Sequence, residues 1–183
     1  MSDLNPSLSE LRQRAGPRSI SFDADALAAA AARFGWESLD TLDADVEVRI
    51  AAGDIVELTG EVRAALVQRC AATGVPLPAN VREPVAVRFV PAAALEVEEQ
   101  DSEVELDADA LDAVPYDGAR VPLGDALIET VALALDPYPR APDADAVLRA
   151  SGVLSEEEAA AAGGAFAGLS GLLGPGGMGS TDR

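Results

Sequence analysis

One cysteine, Cys70, occurs in 183 residues, in the stretch QRCAATGVPLP, just ahead of a Gly/Pro turn. A thiol in that place has three readings: a nucleophile, one ligand of a metal site, or a small buried residue. Nucleophilic use needs a base or a cation to lower the thiol pKa, and zinc needs about four ligands, typically Cys or His. The chain contains no histidine and no lysine, and Cys70 has no second thiol to pair with. The commonest general base, the Schiff-base amine and the phosphate-binding lysine of a P-loop are therefore all missing. Cys70 reads as a small apolar residue facing the core. Chemistry is left to carboxylates, Tyr116, Tyr138 and arginine.

Carboxylates are abundant: 32 Asp and Glu stand against 13 basic residues, all arginine, for a formal net charge of -19. Such a charge repels nucleic acid and acidic membranes at long range and attracts basic proteins. A GC-rich genome would also produce Lys-free, Ala- and Arg-rich composition without any functional cause. Four Asp-Ala-Asp triplets, at 23–25, 43–45, 107–109 and 143–145, have the look of divalent-metal ligands. Three lie at or near helix starts and one precedes a strand, where Asp serves as cap or turn residue, and none continues into a calcium loop. No metal, cofactor or small-molecule substrate is expected, and no catalytic residue is assigned. Among so many acids, accidental pairs are numerous, and the sequence does not choose one.

Arginine offers the remaining candidate. Arg49, Arg63, Arg69, Arg82 and Arg88 all fall on the polar side of the strands read below. They are the candidate contacts for RNA or a partner, since clustered guanidinium groups bind phosphate. The ordinary alternative is that Glu47, Glu57 and Glu61 share that face and pair with them across strands.

The elements that would position these residues are legible from their periods. Residues 1–17 lack a sustained period and are expected as a mobile arm, with at most a helical turn at Leu8 to Arg14. Ile20 and Phe22 alternate as a short strand, and DADALAAAAARFG follows as a helix capped by Asp23, stapled by Phe22 and Leu27, and ended by Gly35. VEVRI alternates Val46, Val48 and Ile50 with polar residues, and Ala52-Gly53-Asp54 is a tight turn. From Val56 the even positions through Leu58, Val62, Leu66 and Cys70 form one buried face of a long strand, bent at Gly60. The return strand turns Val81, Val85, Val87 and Phe89 inward. Residues 96–112 carry nine carboxylates and are expected as a mobile insertion, with an edge strand possible at Val104 and Leu106. VPLGDALIETVALALDPYP reads as a helix with Pro122 in its first turn, a face of Leu127, Val131, Ala134 and Leu135, and a stop at Pro137. Ser155 and Glu158 have capping-box spacing for a last helix, and residues 174–183 are expected as a disordered tail.

In this order the motifs resemble a known family. GDIVELTGEVRAALVQRCAATGVPLPANVREPVAVRFVP is similar to the central region of the DUF177, or YceD, family, with its Gly-containing strand, Cys, Pro-containing turn and return strand ending at Phe. VPLGDALIETVALALDPYPR resembles the family's second block, and the order helix, acidic stretch, helix and FAGLSGLL near the end looks most like its alphaproteobacterial branch. The resemblance covers Ser19 to Leu173. It implies a noncatalytic role in accumulation of the large-subunit ribosomal RNA. Relatives often carry Cys pairs of metal-binding spacing, one near Cys70 and one after the second helix. Here only Cys70 remains, so that metal is not carried over. Pro122 also departs from the Asp common in relatives.

The expected fold is therefore α+β: an antiparallel sheet with strands near 44–51, 54–70 and 80–90, a long central hairpin, and two or three packed helices. Residues 18–173 are the expected domain. The expected function is that of an accessory factor in large-subunit biogenesis that binds a basic ribosomal protein, 23S rRNA, or both, in a precursor particle. The alternative is an acidic adaptor or chaperone for a basic partner with no ribosomal role. An enzyme using a carboxylate pair is a third, weaker reading. No apolar run spans a membrane, and the N-terminus has no signal-like centre, so a cytoplasmic location is expected.

Overall fold

Alternating apolar and polar residues build one five-stranded sheet, in spatial order β1 (Gly16–Ser21), β2 (Ser38–Ile50), β3 (Val56–Arg69), β4 (Pro76–Pro91) and β5 (Ala113–Tyr116). The computed structural model describes residues 4–94, 113–117 and 119–161. The first four strands are antiparallel neighbours, whereas the short β5 runs parallel to β4. Among the described residues, helices α1 (Leu8–Gln13), α2 (Ala24–Phe34), α3 (Leu123–Ala134), α4 (Ala144–Ala150) and α5 (Glu156–Ala161) accompany the sheet in an α+β architecture.

The β3 parity holds: Val56, Leu58, Val62, Ala64 and Leu66 are buried. Leu58 stands opposite Val48 on one side and Val87 on the other, which places three strands' apolar residues in one row. Each fully buried aliphatic side chain contributes about 1.5–3 kcal/mol. Against this face lie Ala30 and Ala31 of α2 and Leu123, Ala126, Leu127, Ile128 and Val131 of α3, all buried. Asp23 caps α2 by accepting from the Ala26 N–H at 2.9 Å, and Gly35 ends it with φ 69°. Pro122 precedes α3 as its N-cap. Ala134, expected on the buried face of α3, is exposed.

Two differences from expectation have physical causes, one local and one not. β2 starts at Ser38 because a register shift between Leu39 and Thr41 lets Leu39 and Leu42 both turn inward, although three residues apart. The bulge breaks the alternation that would have revealed the strand. The described part of the expected arm is packed: Leu11 is fully buried, and Gly16 and Pro17 pair with Val48 and Glu47. The Val121 N–H donates to the Pro6 carbonyl at 2.9 Å and the Gly124 N–H to that of Leu4 at 2.7 Å. Backbone bonds and a few leucines hold this segment, and neither leaves a period. The acidic stretch 96–112, its possible strand at Val104 and Leu106, and the tail 174–183 lie outside the described residues.

Gly60 sets the closest approach in the sheet. A Cβ there would stand 2.2 Å from the Asp45 carbonyl oxygen and 2.7 Å from the Val46 Cα. Only glycine fits a strand this near its neighbour.

Along β4, Pro76, Pro78 and Pro84 share one parity and pair with Arg69, Val67 and Glu61 of β3. Since proline cannot donate, these nitrogens face away from β3, toward the edge that β5 leaves open before Arg88. An edge so depleted of N–H groups is a poor template for strand addition.

Candidate functional site

The outer face of β2, β3 and β4 collects the polar residues of each strand. Direct cross-strand neighbours share a face, so the register lays out its rows: Arg49, Glu57 and Arg88; Glu47, Thr59 and Ala86; Asp45, Glu61 and Pro84; Asp43, Arg63 and Arg82. All five arginines expected as contacts are thus on or at the end of this face, but they do not converge. Six residues of strand separate the rows of Glu57 and Arg63, and six more lead to Arg69, each interval about 20 Å at ~3.3 Å per residue. Three groups result: Arg49 with Arg88, Arg63 with Arg82, and Arg69 alone.

Most of this positive charge is already matched. Arg63 donates to Asp45 at 2.5 Å and to Glu61 at 3.0 Å, Arg82 reaches Glu61 at 2.9 Å, and Arg49 donates to Glu47 at 3.0 Å. Arg69 pairs with Glu37 and also donates to the Gly74 carbonyl at 3.3 Å. The Arg63 hydrogen bond and charge, with the Ser19 hydroxyl, hold the Asp45 carboxyl below the usual range. Arg82 does the same for Glu61, with Arg63 adding to it. Arg88 differs. It forms no ion pair among the described residues, and its Nε is enclosed without a hydrogen-bond partner.

The Asp-Ala-Asp triplets separate by context. Asp23 is a helix cap. Asp43 and Asp45 lie within β2, a correction to their expected place before a strand, and accept from Ser21 and Ser19 hydroxyls at 2.6 and 2.7 Å. Asp145 pairs with Arg140 at 2.7 Å, and the 107–109 triplet lies outside the described residues. Among the described residues, no group of three or more Cys, Asp or Glu side chains could hold a metal ion. Asp45, Glu61, Asp117 and Glu158 are all drawn below their ordinary pKa values by hydrogen bonds and, except for Asp117, by arginine. Such groups stay ionised at neutral pH, the opposite of what a general acid requires.

Cys70 is buried with Ala141 and Ala144, as expected of a small packing residue. Its loop is sewn to the chain after α3: the Ala71 N–H donates to the Pro139 carbonyl at 2.7 Å and Gln68 to that of Asp136 at 3.1 Å. The Thr73 hydroxyl and then the Ala141 N–H draw the thiol pKa from 9.0 to about 7, against the burial that would raise it. Of these, the Ala141 contact, at 3.3 Å, has firm hydrogen-bond geometry, whereas the buried Thr73 hydroxyl lies outside it. Ala141 thus both donates to the thiol and helps to bury it.

Two arrangements escaped the sequence. The Tyr116 hydroxyl donates to the Asp54 carbonyl at 2.6 Å, and the Asp54 side chain pairs with Arg12, clasping the β2–β3 turn to β5 and α1. Asp54 itself has φ 62°. Burial, and then the Asp54 charge, push the Tyr116 pKa up, with Arg12 opposing. The second is Leu133, 87% exposed on a helix whose other face is core. Phase gives no signal for it, since it stands seven residues, or about two turns, after buried Ala126; its exposure goes with its place in the last turn of the helix.

A family model described as large ribosomal RNA subunit accumulation protein YceD matches residues 58–173, from within β3 through the last described helix and beyond. No curated protein and no solved structure matches the chain.

Proposed function

This chain belongs to the YceD family of large ribosomal RNA subunit accumulation proteins, and from that premise we propose that it is a noncatalytic accessory factor in large-subunit biogenesis. In this reading it engages a basic ribosomal protein first and touches 23S rRNA locally or not at all. The observation that carries the partner-first order is the pairing on the sheet face. Arg49, Arg63, Arg69 and Arg82 are each held by carboxylates, so the face presents no positive ribbon. Binding a polyanion gains from counterion release only where arginine meets phosphate. Here most such contacts would first have to break an ion pair, within a chain of formal charge -19. Ribosomal proteins offer the complementary sign. Arg88, which forms no ion pair among the described residues, is the candidate for a local phosphate contact. No helix among the described residues is long and apolar enough to cross a membrane.

A sucrose gradient of native-cell lysate tests the role. Cosedimentation with large-subunit precursors supports it, and migration only with a nonribosomal partner would replace it with the adaptor reading. Purified chain mixed separately with large-subunit rRNA fragments and with ribosomal proteins tests the order of contact. Tight binding to RNA alone at moderate salt would sink the partner-first version.

A further inference from the structure

A groove of about 400 Å³ runs between α3 and the Glu83–Val87 stretch of β4. Its floor and walls are mainly apolar, with Ala86, Val87 and Val114 on the sheet side and Leu133 on the helix. Leu133 is 87% exposed, the largest exposure among the described bulky apolar residues. Two carboxylates, Glu83 and Glu129, line the same groove. Glu129 already accepts from Arg33 at 2.9 Å. Glu83 has no such partner among the described residues, although it stands opposite fully buried Val62 and between Val81 and Val85 on the core-facing side of its strand. A half-buried carboxylate beside exposed aliphatic surface is a combination that water serves poorly and a cation with an apolar stem serves well.

We propose that this groove is a docking site for a protein segment carrying an aliphatic side chain flanked by lysine or arginine. It rests on the basic-partner reading above and gives that reading a surface. Charge selects the occupant: the acidic chain repels anionic segments, and Glu83 supplies a local anion for the flanking cation. The aliphatic residue covers Leu133. Strand addition contributes little, because Pro84 removes an edge donor at one end of the groove and β5 covers the edge from Arg88 onward.

The test uses the full chain and two model peptides of equal length and charge, one alternating Lys with Leu and the other Lys with Ser, at about 150 mM salt. Fluorescence anisotropy should show the Lys-Leu peptide binding at least fivefold more tightly than the Lys-Ser peptide. Leu133→Ser, at an exposed site that should not disturb folding, should remove that preference, in keeping with the burial free energy of one leucine. Glu83→Gln should weaken the Lys-Leu peptide roughly threefold. Amide shifts should centre on Ala86, Val87, Val114 and Leu133. Equal binding of both peptides, with shifts spread over the acidic surface, would overturn the groove yet leave the basic-partner reading standing. Failure of both peptides and of every basic ribosomal protein would overturn the two together. A dimer abolished by Leu133→Ser, or contacts from residues 162–173 to the groove in the free chain, would overturn the proposal in favour of a second copy or the chain's own segment.

Discussion

Replacing Gly60 by alanine should damage this fold far more than one methyl group suggests. The added Cβ would lie 2.2 Å from the Asp45 carbonyl oxygen and 2.7 Å from the Val46 Cα, and both obstacles are backbone atoms. No rotamer change relieves them, so β2 and β3 must separate where Gly60 faces Val46. The φ of 153° at Gly60 adds backbone strain for an L residue. Overpacking of a rigid site costs up to ~3 kcal/mol, a large share of a stability of about 5–15 kcal/mol. At roughly 2–4 °C per kcal/mol for a chain of this size, Tm should fall by about 6–12 °C. Gly53→Ala is the control. Its Cβ would meet nothing within 4 Å, and only its φ of 75° disfavours alanine. That substitution should cost about 1 kcal/mol, or roughly 2–4 °C. Both are measured by thermal unfolding followed by circular dichroism. If Gly60→Ala melts no lower than Gly53→Ala, the close approach of β2 to β3 is refuted, along with the geometry that brings Arg63 to Asp45.

Other expectations follow from single contacts. Gly124→Ala would place a Cβ 2.9 Å from the Leu4 Cβ and should cost about 1–2 kcal/mol, with faster hydrogen exchange at the Val121 and Gly124 amides that bond residues 4–7. Tyr116→Phe removes the bond to the Asp54 carbonyl and should cost about 0.5–1.5 kcal/mol in urea unfolding at pH 7. Because the folded Tyr116 pKa is raised, its contribution is complete below the unfolded value of about 10 and is lost as pH rises through the folded one, so the gap between wild type and Tyr116→Phe should narrow above pH ~10. Cys70 runs the other way: a folded pKa lowered to about 7 gives stability present above the unfolded value and lost as pH falls through about 7, a slope that Cys70→Ala should abolish. Native Cys70 should nonetheless label more than about 100-fold slower than in denaturant, because access to a buried thiolate limits the reaction. Arg63, Arg69 and Arg88 replaced together by Gln should weaken any binding of large-subunit rRNA fragments in a filter assay, and unchanged affinity would assign that face to ion pairing alone.

The parts of this molecule that a periodic pattern controls were readable in advance. The even positions from Val56 to Leu66 and the odd ones from Val81 to Phe89 each report one buried face, and Asp23 and Gly35 mark the ends of α2 through cap chemistry confined to a few residues. Nonlocal partners controlled what was missed. Leu4 and Pro6 are held by backbone bonds from Gly124 and Val121, more than a hundred positions away, and no local pattern announces them. β5 is four residues long and takes its place only because β4 receives it in parallel. On the polar face, parity gathered the arginines correctly, but parity is blind to which carboxylate each one meets. Asp45 could be matched to Arg63 only once the β2–β3 register was known, and Glu37 to Arg69 only once the strand ends were fixed. Cys70 shows the same limit: inward parity predicted its burial, whereas Ala141, 71 residues away, supplies its hydrogen bond.

Affinity purification of the full chain from its native cell, with and without RNase, tests the partner-first account most directly. The account predicts that a basic large-subunit ribosomal protein stays bound after RNase treatment, with 23S rRNA recovered only in the untreated sample. Loss of every ribosomal protein on RNase treatment, with rRNA bound directly to the purified chain, would contradict it.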